Sequence, residues 1–228
     1  MKIATWNVER LKHKKQLDLL LSECSAVSAD ILVLTETDQR LRPAYRYCYE
    51  TPLLTAEFGE LYNPTENRVS IFTNYPCIRQ YETYDKNTAI CVELKTEDGN
   101  LIVYGTIIGI HGNRRDDFLP NLKSQMEDIK RLSKLADGFC ICGDFNCSFA
   151  DNYYYTKDAR RILLEAFEEN DIQLLTAAQP ECIDHIAVSK TFIGNSHIAV
   201  KEWNLDKALS DHKGISVYFD CIQTIGTR

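Results

Sequence analysis

No apolar stretch in this 228-residue chain approaches the roughly 18–20 residues that a helix needs to cross a bilayer, so no membrane span is expected. The opening, MKIATWNVER, also lacks the apolar segment of about 7–15 residues and the small-residue cleavage site of a secretory signal. The expected compartment is therefore the cytoplasm. Internal repeats, low-complexity tracts and Gly/Ser/Pro linkers are missing too, and one domain over residues 1–228 is expected, acting as a monomer. An excess of positive charge is absent: 26 Lys and Arg stand against 33 Asp and Glu, a net charge of −7. Non-specific affinity for nucleic acid comes largely from cations that neutralise phosphates, so a tight, processive DNA binder is disfavoured. Action on phosphate esters stays open if metal ions or a local basic patch supply the charge.

Cysteine is plentiful, but it has no disulfide logic. The nine thiols are an odd count, set mostly within apolar segments such as TAICVEL and GFCIC. Disulfide frameworks belong to small secreted chains that cannot build a core, so these are expected to be free, buried thiols.

Nine segments carry the alternating, β-branched and aromatic pattern of strands: 2–7, 30–36, 68–73, 89–94, 100–110, 139–145, 182–189, 197–203 and 214–219. Three others show helical spacing. Leu17, Leu20, Leu21 and Cys24 share one face, as do Leu122, Met126, Ile129 and Leu132, and likewise Ile162, Leu163, Ala166 and Phe167. Strand enough for two sheets, with three interleaved helices, predicts an α/β protein with helices packed outside.

The segment FCICGDFNCSFA (139–150) poses the functional question. Alternation puts Cys140, Cys142 and Asp144 on one face, and Asn146 continues that face if the chain stays extended. Structural zinc sites use paired C-x₂₋₄-C spacings and four ligands, which a C-x-C without a second Cys/His pair does not supply. Cys140 and Cys142 are therefore expected in the core, with Cys147 more exposed and nothing marking it as activated. Polar residues at strand ends often only begin loops. Here they recur: Asn7 after one strand, Glu36 after another, Asp144 and Asn146 after a third, Asp184 and His185 within a strand, Asp211 and His212 before the last. Charge inside apolar runs is unfavourable unless paired or metal-bound, and no matching Lys or Arg accompanies these. One shared cation site is implied, and its oxygen donors suit Mg²⁺ or Mn²⁺.

The ordered set WN, TE, GDFN, IDHIAVS and SDH, spanning residues 6 to 212, resembles the endonuclease/exonuclease/phosphatase superfamily. That superfamily includes DNase I-like nucleases, abasic-site endonucleases, inositol-polyphosphate phosphatases, sphingomyelinases and deadenylases. RVSIFTNYPC (68–77) is similar to another segment of it. The resemblance implies a four-layered sandwich of two mixed β-sheets with helices outside, and attack of water on a phosphoester. It implies that Glu36 is the principal metal ligand with Asn7 beside it and Asp211 as a second. Asp144 would orient or deprotonate the water, and Asn146 would hold it or a phosphate oxygen. His212 would act across the phosphate, with Asp184 fixing its tautomer. Glu9 would make a water-mediated contact to the metal, and His111 would touch the phosphate. His185 is either an orienting residue or outside the site.

Two features bear on the substrate. The chain is short, which leaves little for loops that enter a DNA groove. ERLKHKK (9–15) sets Arg10, Lys12, Lys14 and Lys15 directly after Asn7, as a phosphate-binding rim or a solvated basic face. Arg114 and Arg115 could add to such a rim. Tyr153–Tyr155 could stack a base or sugar, or simply pack a loop. The expected activity is a phosphodiesterase on nucleic acid. The alternatives are a phosphomonoesterase for a small or lipid-derived phosphate, and a binding domain without catalysis.

Overall fold

A computed structural model of the chain describes residues 1–54 and 61–220. In chain order it contains β1 (Lys2–Asn7), α1 (Leu17–Val27), β2 (Ile31–Asp38), β3 (Tyr47–Glu50), β4 (Glu66–Thr73), β5 (Cys77–Tyr81), β6 (Ala89–Thr96) and β7 (Gly99–Ile107). There follow α2 (Phe118–Leu132), β8 (Gly138–Asp144), α3 (Lys157–Glu169), β9 (Ile172–Leu174), β10 (Asp184–Ser189), the short α4 (Lys190–Ile193), β11 (Ile198–Trp203) and β12 (Gly214–Phe219). The strands form two six-stranded mixed sheets, β11-β12-β1-β2-β4-β3 and β5-β6-β7-β8-β10-β9.

Burial explains the layering. Ile3, Val33, Val69 and Val217 of the first sheet meet Val92, Val103, Cys140, Cys142 and Ile186 of the second in the central core. The alternate residues of the second sheet, among them Tyr104, Phe139 and Ile141, pack under Leu122, Ile129, Leu163 and Phe167 of α2 and α3. On the other outer face, Ala4, Trp6 and Leu32 pack beneath Leu20, Cys24 and Val27 of α1. The result is helix, sheet, sheet, helix: the expected four-layered α/β sandwich. No helix among the described residues is long and apolar enough to cross a membrane.

Three strands escape the sequence pattern: β3, β5 and β9. Each lies at the end of its sheet, and β3 and β5 are largely half-buried or exposed, so their apolar alternation is diluted. The long apolar run 100–110 is not one strand either. β7 stops at Ile107, the Ile108 amide bonds the Asp144 carbonyl, and the chain turns at Gly109, where φ is +67° and the Phe118 ring fills the place of a side chain.

Candidate active site

Strand direction decides which polar ends meet. β1 and β2 are parallel, so Asn7 and Glu36 arrive at one edge. β8 is antiparallel to β10, so Asp144, last in β8, lies directly opposite Asp184, first in β10. β12 is antiparallel to β1, which returns the preceding Asp211 and His212 to the same edge. β1 packs across the sandwich against β8 and β10, and the two halves of the site face each other.

Hydrogen bonds tie these ends together. Asn7 Nδ2 donates to Asp144 Oδ2 at 3.1 Å, and the Asn146 amide donates to Asp144 Oδ1 at 2.8 Å. His212 Nδ1 donates to Asp184 Oδ2 at 2.6 Å. The buried Ser210 hydroxyl donates to the Asn7 carbonyl at 2.6 Å and accepts from the His212 amide at 3.1 Å. Trp6 Nε1 and Asn204 Nδ2 both donate to the His212 carbonyl, at 3.1 and 2.7 Å. Sequence reasoning missed these three supports, although Trp6 and Ser210 stand within the WN and SDH fragments that carried the signal.

Left-handed backbone concentrates here: φ is +51°, +55° and +50° at Glu9, Arg10 and Leu11, +47° at Glu36 and +49° at Asn146. Such conformations are unfavourable for non-glycine residues and gather at functional sites. The turn at Asn146 shows that the chain does not stay extended past Asp144. Its Nδ2 donates to the carbonyls of Ile108 and Gly109 at 3.0 and 3.2 Å. Rotating the amide would deprive both carbonyls of a donor, so Asn146 presents an acceptor oxygen to the cavity it lines. An acceptor suits a water better than a phosphate oxygen.

Four carboxylates share this edge: Glu36, Asp144, Asp184 and Asp211. Burial raises the pKa of Glu36, against a partial offset from His212 and the Asn7 amide. Burial pushes Asp144 up to about 7; His212 opposes this, and Asp184 and Glu36 add to it. Burial alone would lower the pKa of His212, but Asp184 outweighs it and raises it to about 10. Like charges set directly opposite in a sheet are unfavourable, so this edge is built for added positive charge.

Among the described residues, no group of three or more His, Cys, Asp or Glu side chains is close enough to hold an ion. One half-buried carboxylate, Glu36, with the Asn7 amide beside it, fits Mg²⁺ or Mn²⁺, which commonly take one or two protein oxygens and complete their shell with water and phosphate. Asp211 is 66% exposed in its side chain, 3.6 Å from His212 Nε2, and near enough to Glu36 to raise its pKa. Glu9 is committed to Lys12 at 2.6 Å and to the Asp211 amide at 3.2 Å. Cys140 and Cys142 lie in the central core, as expected; Cys147, expected to be more exposed, is buried and its thiol is pushed up to about 11. His185 points to the opposite side of β10 from Asp184. There it is fully buried, bonded to Thr176 and to the carbonyls of Cys147 and Cys182.

A cavity of about 200 Å³ adjoins Glu36, lined by Arg10, Lys12, Arg68 and His111. Arg10 also bonds Glu66 at 2.9 Å and lies 4.6 Å from the centre of the Tyr62 ring. Arg68, absent from the sequence-based set, is only 5% exposed. The ladder of β2 and β4 pairs Thr35 with Val69 and Thr37 with Asn67, which sets Arg68 across from Glu36. Its only sequence signal was a charge beginning an apolar strand. Lys14 and Lys15 are exposed in a short turn before α1 and line neither this cavity nor that beside His212; Arg114 and Arg115 are exposed and line neither.

A sequence model of the Endonuclease/Exonuclease/phosphatase family matches residues 4–212, from β1 to His212. The chain belongs to that family, which hydrolyses phosphoesters. No curated protein sequence matches it. Among solved structures it is similar to the 3′ phosphatase NExo from Neisseria bound to a product DNA hairpin (TM-score 0.72, 19% identity, 96% of this chain and 99% of that one). It is also similar to the AP endonuclease LMAP from Leishmania major (0.73, 16%, 96% and 87%) and to an AP endonuclease from Archaeoglobus fulgidus (0.70, 14%, 96% and 99%). At these identities the likeness is one of fold.

Proposed function

We propose that this protein is a Mg²⁺- or Mn²⁺-dependent phosphodiesterase acting on nucleic acid. The observation that carries the reading is the meeting, at one sandwich edge, of Glu36 and Asn7 with Asp144, Asn146 and the Asp184–His212 pair, beside a cationic cavity in an acidic chain. Glu36 and Asn7 would hold the cation, with Asp211 contributing from the rim. When bound, the cation neutralises charge developing on the phosphate. The remaining roles fall to the protein. Asp144, held by Asn7 on one oxygen and the Asn146 amide on the other, orients the attacking water and takes its proton. Asn146 accepts a hydrogen bond from that water. His212, with Nδ1–H given to Asp184, turns Nε2 to the phosphate and donates there as negative charge grows. Arg10, Lys12, Arg68 and His111 bind flanking phosphate oxygens.

The small size of the cavity beside Glu36 favours one alternative, a terminal phosphate monoester. A panel of plasmid, oligonucleotides, 3′-phosphorylated oligonucleotides, nucleotides and inositol phosphates, run with Mg²⁺, Mn²⁺ and EDTA, decides between them. Metal-dependent cleavage of internal or terminal nucleotide linkages is expected, and EDTA should stop it while leaving the melting curve in place. Release of phosphate alone would establish the alternative. Melting on chelation, or tightly bound zinc, would overturn the metal assignment.

A further inference from the structure

The site has a second flank, on the side of His212 away from Glu36. A cavity of about 370 Å³ there is lined by Asn146, Asp184, Asp211 and His212 of the site and also by Tyr153 and Lys207. That volume lies at the low end of the roughly 300–1,000 Å³ range of small-ligand pockets.

The three consecutive tyrosines at its rim have separated in role. Tyr155 packs against the α2/α3 core with the Arg160 guanidinium 3.9 Å from its ring centre. Tyr154 is half-buried, its hydroxyl accepting from the Asn113 amide at 3.3 Å. Tyr153 alone is exposed, at 49%. An exposed aromatic ring on a mobile loop would mean little, but this loop is clamped. The Ser148 amide bonds the Tyr154 carbonyl at 2.7 Å, and the Tyr154 amide bonds Ser148 Oγ at 3.0 Å. Asp151 accepts from the amides of Tyr153 and Glu181, at 3.0 and 2.7 Å, and Arg160 Nε holds the Ser148 carbonyl at 2.9 Å.

Lys207 fixes the ring from the adjoining loop. Its ammonium is 3.1 Å from the Tyr153 hydroxyl and 4.9 Å from the ring centre. Those two distances place it beyond the hydroxyl end of the ring, not above the ring centre, and Tyr153 stays about half exposed. Among the described residues no carboxylate lies within ion-pairing distance of Lys207. A rigid aromatic face with a cation at its edge, beside the groups proposed to act on phosphate, suits a planar base attached to a phosphate.

We propose that Tyr153 and Lys207 form a base-stacking subsite, which takes the nucleobase next to the reacting phosphate and makes nucleotides the substrate class. This rests on the phosphoesterase reading above and adds what it lacks, a reason for preferring a nucleotide over a sugar or lipid phosphate. Stacking of one base on an aromatic side chain is worth about 1–3 kcal/mol, or roughly 5- to 150-fold in affinity.

The test is binding, and it is independent of turnover. Calorimetry or NMR titration of the metal-free protein compares deoxyadenosine 5′-monophosphate with deoxyribose 5-phosphate, in wild type, Tyr153→Ala and Tyr153→Trp. Wild type should bind the nucleotide at least about 5-fold more tightly than the sugar phosphate. Tyr153→Ala should lose that preference and Tyr153→Trp should keep it, with circular dichroism confirming that both variants fold. Equal binding of the two ligands by wild type, or a preference that survives in Tyr153→Ala, overturns the subsite. Nucleotide preference with no phosphoester hydrolysis on the panel would uphold the subsite and sink the proposed function instead.

Discussion

His212 enters the site with one ring nitrogen already committed. The 2.6 Å bond to Asp184 fixes which nitrogen carries the shared proton, and the Asp184 carboxylate keeps the ring cationic up to about pH 10 in the metal-free protein. Two outcomes follow at this scale. Asp184→Asn should cost nearly as much turnover as His212→Ala, each on the order of 10²–10⁴-fold, and the double variant should be little worse than either. Losses that multiply in that cycle would show that the pair does not act as a unit. Removing the Asp184 charge should also move the His212 titration, followed by NMR in EDTA, from about 10 down toward or below its ordinary 6.5. Because the folded value lies above the ordinary one, the stability that this pair contributes is complete below pH 6.5 and is lost as pH rises toward 10.

β8 carries both core and chemistry. Cys140 and Cys142 point into the central core, and two residues further Asp144 faces the site. Gly143 stands between them with φ at +140°, and a Cβ there would lie 1.9 Å from the Thr106 carbonyl oxygen on β7. The strand can bring Asp144 to Asn7 while staying paired to β7 only because that position is bare. Cys140→Ala should therefore lower stability by roughly 1 kcal/mol and leave turnover intact. Gly143→Ala should lower it by about 3 kcal/mol or more and also impair turnover, since the backbone that shifts carries Asp144. Urea denaturation and steady-state kinetics on the two variants check the contrast. Full activity in Gly143→Ala would mean that Asp144 is placed by something else.

Across the whole molecule, stability resides in the central core and the two outer cores, with the site laid over one edge. His185 belongs to that scaffold, and it makes stability depend on pH. Burial holds it neutral, with its pKa near 4 against an ordinary 6.5. Between those values the unfolded chain takes up a proton that the folded protein does not, so this group costs about 1.4 kcal/mol of stability for each unit of acidification from 6.5 toward 4. Asp144, raised to about 7, works in the opposite sense over much of the same range, so the wild-type profile alone does not report on His185. The difference between wild type and His185→Gln does. Urea midpoints at pH 7, 5.5 and 4.5 should show the wild-type advantage shrinking as pH falls, and a constant difference would refute the account.

How much of this was readable in advance follows from how far each signal reaches along the chain. The α/β class with strand enough for two sheets, the central strands and all three long helices were legible, because burial on one or two faces writes itself into the spacing of apolar residues; the four-layered sandwich was implied by the family resemblance. Asn7, Glu36, Asp144, Asp184 and His212 were legible as polar interruptions of that spacing. The edge strands β3, β5 and β9 were not, since a half-exposed strand need not alternate cleanly. Arg68 joined the site only through its register opposite Glu36, Ser210 only through its long-range hydrogen bond to the Asn7 carbonyl, and Asn204 only through a loop that folds back to the Ser210 and His212 carbonyls. The sequence even set Tyr153, Tyr154 and Tyr155 side by side as equivalents. Tertiary packing divided them into one exposed ring, one pinned hydroxyl and one half-buried ring packed on the α2/α3 core, because what a side chain can bind depends on which of its surfaces the rest of the fold leaves uncovered.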